Sequence, residues 1–137
     1  MNLINGLRNN IMPNYCYQKL TFSSSISADI SEVKNYILNK KGKFDFNKVI
    51  PQPVNIFQGD LGAKERRMCT EKGLHNWYDW NIKNWGTKWN ALEPKILFDE
   101  DWKFGVSFHT AWGIPNPIIN NIIETFKDRF DIIFLAA

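Results

Sequence analysis

The chain has few of the side chains on which redox, metal and nucleophilic chemistry depend: two cysteines and two histidines among 137 residues. Cys16 and Cys69 have no metal-ligand spacing and fall far short of a disulfide framework, so both are expected to stay reduced, with Cys16 in the core. Two isolated thiols also cannot supply the thiolate set that holds an iron–sulfur cluster. His75 and His109 would have to converge with Cys69 or Asp79 to form a nucleophilic or acid–base site, and a lone histidine beside a tryptophan is more often structural. The acidic triplet Asp99-Glu100-Asp101 has no histidine in sequence and reads as a solvated turn that discourages edge pairing. Gly59 and Gly62 lack the Gly, Lys or Ser context of a phosphate-cradling loop. No apolar run approaches the roughly 18 residues of a membrane span. Met1-Asn2-Leu3-Ile4-Asn5-Gly6 has neither the basic start nor the apolar core of a secretory signal. These absences predict a cytoplasmic, non-enzymatic chain with no metal, no cofactor and no membrane attachment.

What is abundant is aromatic. Six tryptophans and ten phenylalanines belong to a packed globule, and four of the tryptophans fall in one run, His75-Asn76-Trp77-Tyr78-Asp79-Trp80-Asn81-Ile82-Lys83-Asn84-Trp85-Gly86-Thr87-Lys88-Trp89-Asn90. At about 100° per residue, Leu74, Trp77, Tyr78, Asn81, Ile82 and Trp85 form one stripe of a helix over 74 to 85. Gly86 suits its left-handed cap. Trp77, Tyr78 and Trp85 are therefore expected in the core, while Trp80 and Trp89 are candidates for a binding surface. The formal net charge is +3, and the lysines and arginines concentrate between residues 40 and 90.

The remaining elements follow from periodicity. Asn14 to Ser23 is a strand with Cys16, Gln18, Leu20 and Phe22 on one face. Asp29 and Glu32 form a capping box for a helix from about 30 to 40. Phe44 to Ile50 alternates, but Pro51 and Pro53 demote it to a short edge strand or extended loop, and 63 to 72 is a charged, exposed helical stretch. Lys95 to Phe98 and Lys103 to Thr110 form a hairpin. In the second of these, Phe104, Val106, Phe108, Thr110 and Trp112 face one way, and Gly105, Ser107, His109 and Ala111 the other. A helix begins at Pro117 behind Asn116, and 131 to 135 is a last strand. The expected fold is α+β: a βαββαβ split motif of the ferredoxin-like kind, an antiparallel sheet with its helices on one face. A Trp-rich helical insert, 42–90, separates the first helix from the second strand. Residues 1–11 are expected to be a flexible extension, and 12–137 a single domain.

Three segments carry a likeness: Met12-Pro13-Asn14-Tyr15-Cys16, Asn76-Trp77-Tyr78-Asp79-Trp80 through Asn84-Trp85-Gly86-Thr87-Lys88-Trp89-Asn90, and Phe108-His109-Thr110-Ala111-Trp112-Gly113-Ile114-Pro115-Asn116-Pro117. Together they resemble the YubB ferredoxin-like family of plasmid and bacteriophage accessory proteins. The resemblance implies a ferredoxin-like topology and a mobile-element origin in a bacterial host cell. It brings no catalytic residues.

The functional expectation is an accessory protein that binds a bacterial host or defence-system macromolecule and blocks or modulates it, most concretely an anti-CRISPR inhibitor of a CRISPR–Cas protein or ribonucleoprotein. The expected partner-binding set is Lys64, Arg66, Arg67, Trp80, Lys83, Lys88 and Trp89. The alternative is a nucleic-acid-binding protein. The open face of 103 to 111 offers no ring except His109, so that role falls to the basic insert, Lys64-Glu65-Arg66-Arg67 with Lys72, Lys83 and Lys88. A small enzyme with an unrecognised site is the third reading, and the oligomeric state is left open.

Overall fold

The computed structural model describes residues 14–24 and 28–137; the expected extension over 1–11 and the start at Met12 lie outside them. The elements run β1 (Tyr15–Ser24), α1 (Ile30–Ile37), α2 (Phe46–Val49), α3 (Ala63–Lys72), α4 (Trp77–Trp85), β2 (Leu92–Glu100), β3 (Lys103–Ala111), α5 (Asn116–Phe126) and β4 (Phe130–Ala136). The strands form one antiparallel sheet in the order β2-β3-β1-β4. No helix among the described residues is long and apolar enough to cross a membrane.

Alternation in the two central strands builds the core. Leu20 and Phe22 of β1 and Phe104, Val106 and Phe108 of β3 are buried against Ile30, Val33 and Ile37 of α1 and Ile118, Ile122 and Phe126 of α5. Cys16, expected in this core, is only half-buried near the start of β1. Cys69 is the buried thiol, and both are free.

Local chemistry explains where the elements differ from expectation. Phe44 to Ile50 does not form a strand: Asp45 accepts from the Asn47 amide and caps a single helical turn, α2, which buries Phe46 and Val49. A side-chain cap outcompetes a short alternation that has no strand beside it to complete a ladder. The preceding helix stops at Ile37 because Leu38 turns extended and bridges Phe44. Strand β2 begins earlier than expected and contains Pro94, tolerated because β2 is an edge strand with register shifts around that position.

The segment between α1 and β2 packs on the helical side. Helix α2 lies against α1 and α5, and α4 against α5. Trp85 is the anchor: its ring meets Phe46 edge-on at 5.9 Å and its Nε1 donates to the Ile50 carbonyl at 2.9 Å. Trp77, expected beside it, is half-buried elsewhere and donates to the Gly59 carbonyl at 2.9 Å, fastening the loop before α3. The insert therefore leaves the opposite face of the sheet to its own strands.

Candidate functional site

Because Gln18, Leu20 and Phe22 point into the core, Tyr15, Tyr17, Lys19 and Thr21 point out through the other face. Strand pairing sets them in rows across the sheet: Leu92, His109 and Tyr17; then Lys95, Ser107 and Lys19, with Leu135 beyond; then Phe98, Gly105 and Thr21, with Ile133 beyond. Gly105 is required in the third row. A Cβ there would lie 2.6 Å from Cζ of Phe98, so only glycine lets that ring lie on the strand.

At the end where β1 and β2 begin and β3 finishes, Tyr15, Tyr17, Leu92, Glu93, His109 and Ala137 line an open hollow of about 500 Å³. The Tyr17 and His109 rings touch, with centroids 5.1 Å apart and planes tilted by 53°. Glu93 Oε1 is 3.7 Å from His109 Nδ1, too far for a hydrogen bond. Buried Nδ1 has no hydrogen-bond partner among the described residues.

Two strained residues border this end. Among the described residues only Glu93 (φ 47°) and Trp112 (φ 76°) are non-glycines in the left-handed region, a conformation that costs a bulky side chain roughly 1–3 kcal/mol and persists where surrounding bonds hold it. The bonds are present. The Trp112 amide donates to the Asn14 carbonyl at 2.7 Å, Thr87 Oγ1 donates to the Ala111 carbonyl at 3.0 Å, and Thr110 Oγ1 donates to the Gly113 carbonyl while accepting from buried Gln18. The Trp112 ring is left 60% exposed. Alternation had assigned Trp112 to the buried side of β3 with Phe108 and Thr110; the left-handed turn after Ala111 is what overturns that.

Thr87 also positions its neighbour. Lys88 Nζ lies 4.3 Å from the ring centroid of Trp89 and 4.3 Å from that of Trp112, so the ammonium is held between two indoles. Trp89 is 36% exposed.

The expected binding set divides accordingly. Lys88 and Trp89 come together, joined by Trp112. Trp80 is half-buried against the core, edge-on to Trp85 at 5.6 Å. Arg66 pairs with Asp79 at 3.4 Å and stands over the Tyr78 ring, tying α3 to α4. Lys64 and Arg67 are exposed on α3 and Lys83 on α4, and no hydrogen bond, ion pair or ring contact among the described residues links them to the Lys88 clamp. Tyr15 and Tyr17 lie outside the expected set, which draws the open face from the side chains of β3 and not from those of β1. The alternation that buried Cys16's neighbours Gln18 and Leu20 already placed both tyrosines opposite.

Among the described residues no three His, Cys, Asp or Glu side chains gather as a metal ion would need. Compared with known proteins, the chain matches no family model, no curated protein and no solved structure at a significant level.

Proposed function

We propose that the chain is a non-enzymatic binding protein whose working surface is the end of the sheet carrying Trp89, Lys88, Trp112, Tyr15 and Tyr17. The observation that carries this reading is Trp112: an indole that is mostly exposed, on a strained backbone, pinned by bonds from β1 and from the Trp-rich segment. An exposed ring adds little to the core, and a strained residue is retained where its position matters. Exposed, preorganised indoles are the common anchors of macromolecular interfaces.

The order β4-β1-β3-β2, with α1 and α5 on one face and α2 to α4 between α1 and β2, supports a ferredoxin-like scaffold bearing a Trp-rich insert. The resemblance to the YubB family supports a mobile-element accessory protein acting in the cytoplasm of a bacterial host. Its partner is then a host or defence-system macromolecule, with a CRISPR–Cas protein or ribonucleoprotein as the concrete case, and its mechanism is steric obstruction.

Trp112→Gly tests the surface. Relief of left-handed strain, roughly 1–3 kcal/mol, opposes the backbone entropy of glycine, about 0.5–1 kcal/mol, and the lost cation–π contact, about 0.5–1 kcal/mol. The melting temperature should therefore stay near that of the unmodified chain or rise. Affinity capture from a bacterial host carrying an active CRISPR–Cas system should nevertheless lose its specific partner, as expected for an anchor worth about 2 kcal/mol or more. Equal capture by the variant would refute this assignment of the surface.

A further inference from the structure

We infer that the outward face of the sheet seats single-stranded nucleic acid, with bases stacked on Tyr17, His109 and Tyr15 and phosphates held by Lys19 and Lys95. This rests on the binding role proposed above and names the class of partner.

Three features of the face converge. First, its rings stand on the two central strands: Tyr17 of β1 is the register partner of His109 of β3, and Tyr15 stands one row further out opposite Ala111. Tyr15 is 49% and Tyr17 36% exposed. Neighbouring rings on the middle strands of an open sheet form a stacking platform for unpaired bases, because every base offers a π-face. The hollow beside them, about 500 Å³, is within the general range of pockets that accept small ring systems.

Second, the next row carries the charge. Lys19 and Lys95 flank Ser107 from opposite sides, one row from the rings and so about 7 Å along the strands. Neither belongs to the ion pairs found among the described residues. At the hairpin end of the face Lys103 lies 4.8 Å from the Phe98 ring centroid. The acids on this face stand at its margins: Glu93 at the rim beside His109, Glu100 opposite Lys103 at the hairpin end, and Asp131 opposite Ser23.

Third, charge complementarity selects among occupants. A protein contact without acids opposite Lys19 and Lys95 would bury two ammonium groups that are unpaired among the described residues, where desolvation is costly and lysine is depleted. A phosphodiester backbone supplies the missing counter-charge at each lysine. A duplex fits less well, since its bases are already stacked and cannot reach rings that lie on a sheet.

The test uses the full chain and fluorescein-labelled oligothymidylate and oligouridylate of about twelve nucleotides, within the usual span of single-strand sites, beside a duplex of equal length. Anisotropy should show the single strands bound more tightly than the duplex, with affinity falling as salt rises. Tyr17→Ala should weaken binding about 5- to 150-fold, the loss of one stacked base, and Tyr17→Phe should restore it. Lys19→Ala with Lys95→Ala should flatten the slope of log affinity against log salt by about 1.4; both lysines are outward-facing, so this variant remains informative if Tyr17→Ala melts early. Absence of salt-sensitive binding, equal binding of the duplex, an unchanged affinity in the Tyr17→Ala and double-lysine variants, or a homodimer that protects Tyr17 would each overturn the inference. If oligonucleotides fail while capture of a protein partner still depends on Trp112, only the nucleic-acid assignment falls. If capture is independent of Trp112 as well, the binding surface itself is wrong.

Discussion

Replacing Gly86 by alanine should destabilise the protein far more than the same change at Gly73, although both glycines end helices in the left-handed region, at φ 83° and 66°. The backbone cost is common to both, about 1–2 kcal/mol for a non-glycine residue, partly offset by the reduced freedom of the unfolded chain. The surroundings differ. A Cβ on Gly73 meets nothing within 4 Å, whereas one on Gly86 would lie 2.8 Å from Pro117 Cδ, 3.2 Å from the Asn116 nitrogen and 3.4 Å from Pro115 Cα. These atoms belong to the start of α5, held in turn by core residues Ile118 and Ile119, so the clash cannot be relieved by rotating a flexible side chain. Overpacking of this kind adds about 1–3 kcal/mol, giving about 2–4 kcal/mol at Gly86 against about 1 kcal/mol at Gly73. For a chain of this length each kcal/mol is about 3–4 °C in melting temperature. Calorimetry should therefore find Gly73→Ala about 3–4 °C below the unmodified protein and Gly86→Ala roughly 6–16 °C below it. Equal shifts would show that the close approach of Gly86 to α5 is not a determinant of the fold, and with it the account of how the Trp-rich segment is docked.

Two further outcomes follow from local geometry. Gly105→Ala should drive the Phe98 ring off the sheet, because the new methyl carbon would lie within 3.0 Å of three ring atoms; the ring-current shifts of residues 104–106 should change by NMR, and unaltered shifts would refute the packing. Asp29, the α1 N-cap, has its carboxyl held below the usual 3.8 first by the hydrogen bond from the Ser31 amide, so its contribution is present above the unfolded-state value and lost as pH falls through the lower folded-state value. Asp29→Asn keeps a capping oxygen without titrating, and the stability gap between the two proteins should accordingly narrow on acidification below about pH 4; a gap that widens would reverse the sign of the linkage.

How far the sequence reaches depends on whether the deciding interaction is local. Gly86 in the left-handed region ends α4 where periodicity and its own freedom predict, whereas the helix starts at Trp77, three residues later than the periodicity predicts, because Asn76 caps it by accepting from the Asp79 amide. The inward face of β1 is likewise readable, because alternation needs no partner strand. What fails is set across the chain. Trp112 leaves the apolar side of β3 because Asn14 and Thr87 hold the backbone around it, contacts that span tens of residues. The opposition of Tyr17 and His109 is a fact of strand register, which no pattern inside either segment contains. Trp80 and Arg66, both plausible surface residues by type, are drawn into packing within the insert by Trp85 and Asp79.

The tryptophan run does two different jobs separated by one residue. Up to Trp85 the chain is helical and delivers its ring to Phe46 and the core. Gly86 then takes a left-handed conformation at a point where a Cβ would meet Pro117, and its amide closes the helix on Asn81 and Ile82. Thr87, buried, bonds to the end of β3, and only after that bond do Lys88 and Trp89 reach the surface. A flexible tether would deliver the same side chains, but each would then lose rotamer freedom on binding, at about 0.5–1.5 kcal/mol apiece. With Thr87 fixed to Ala111 and the Lys88 ammonium held between the Trp89 and Trp112 rings, part of that ordering is met when the protein folds. The strain at Trp112 is then the cost of presenting an already ordered pair of indoles around the Lys88 ammonium.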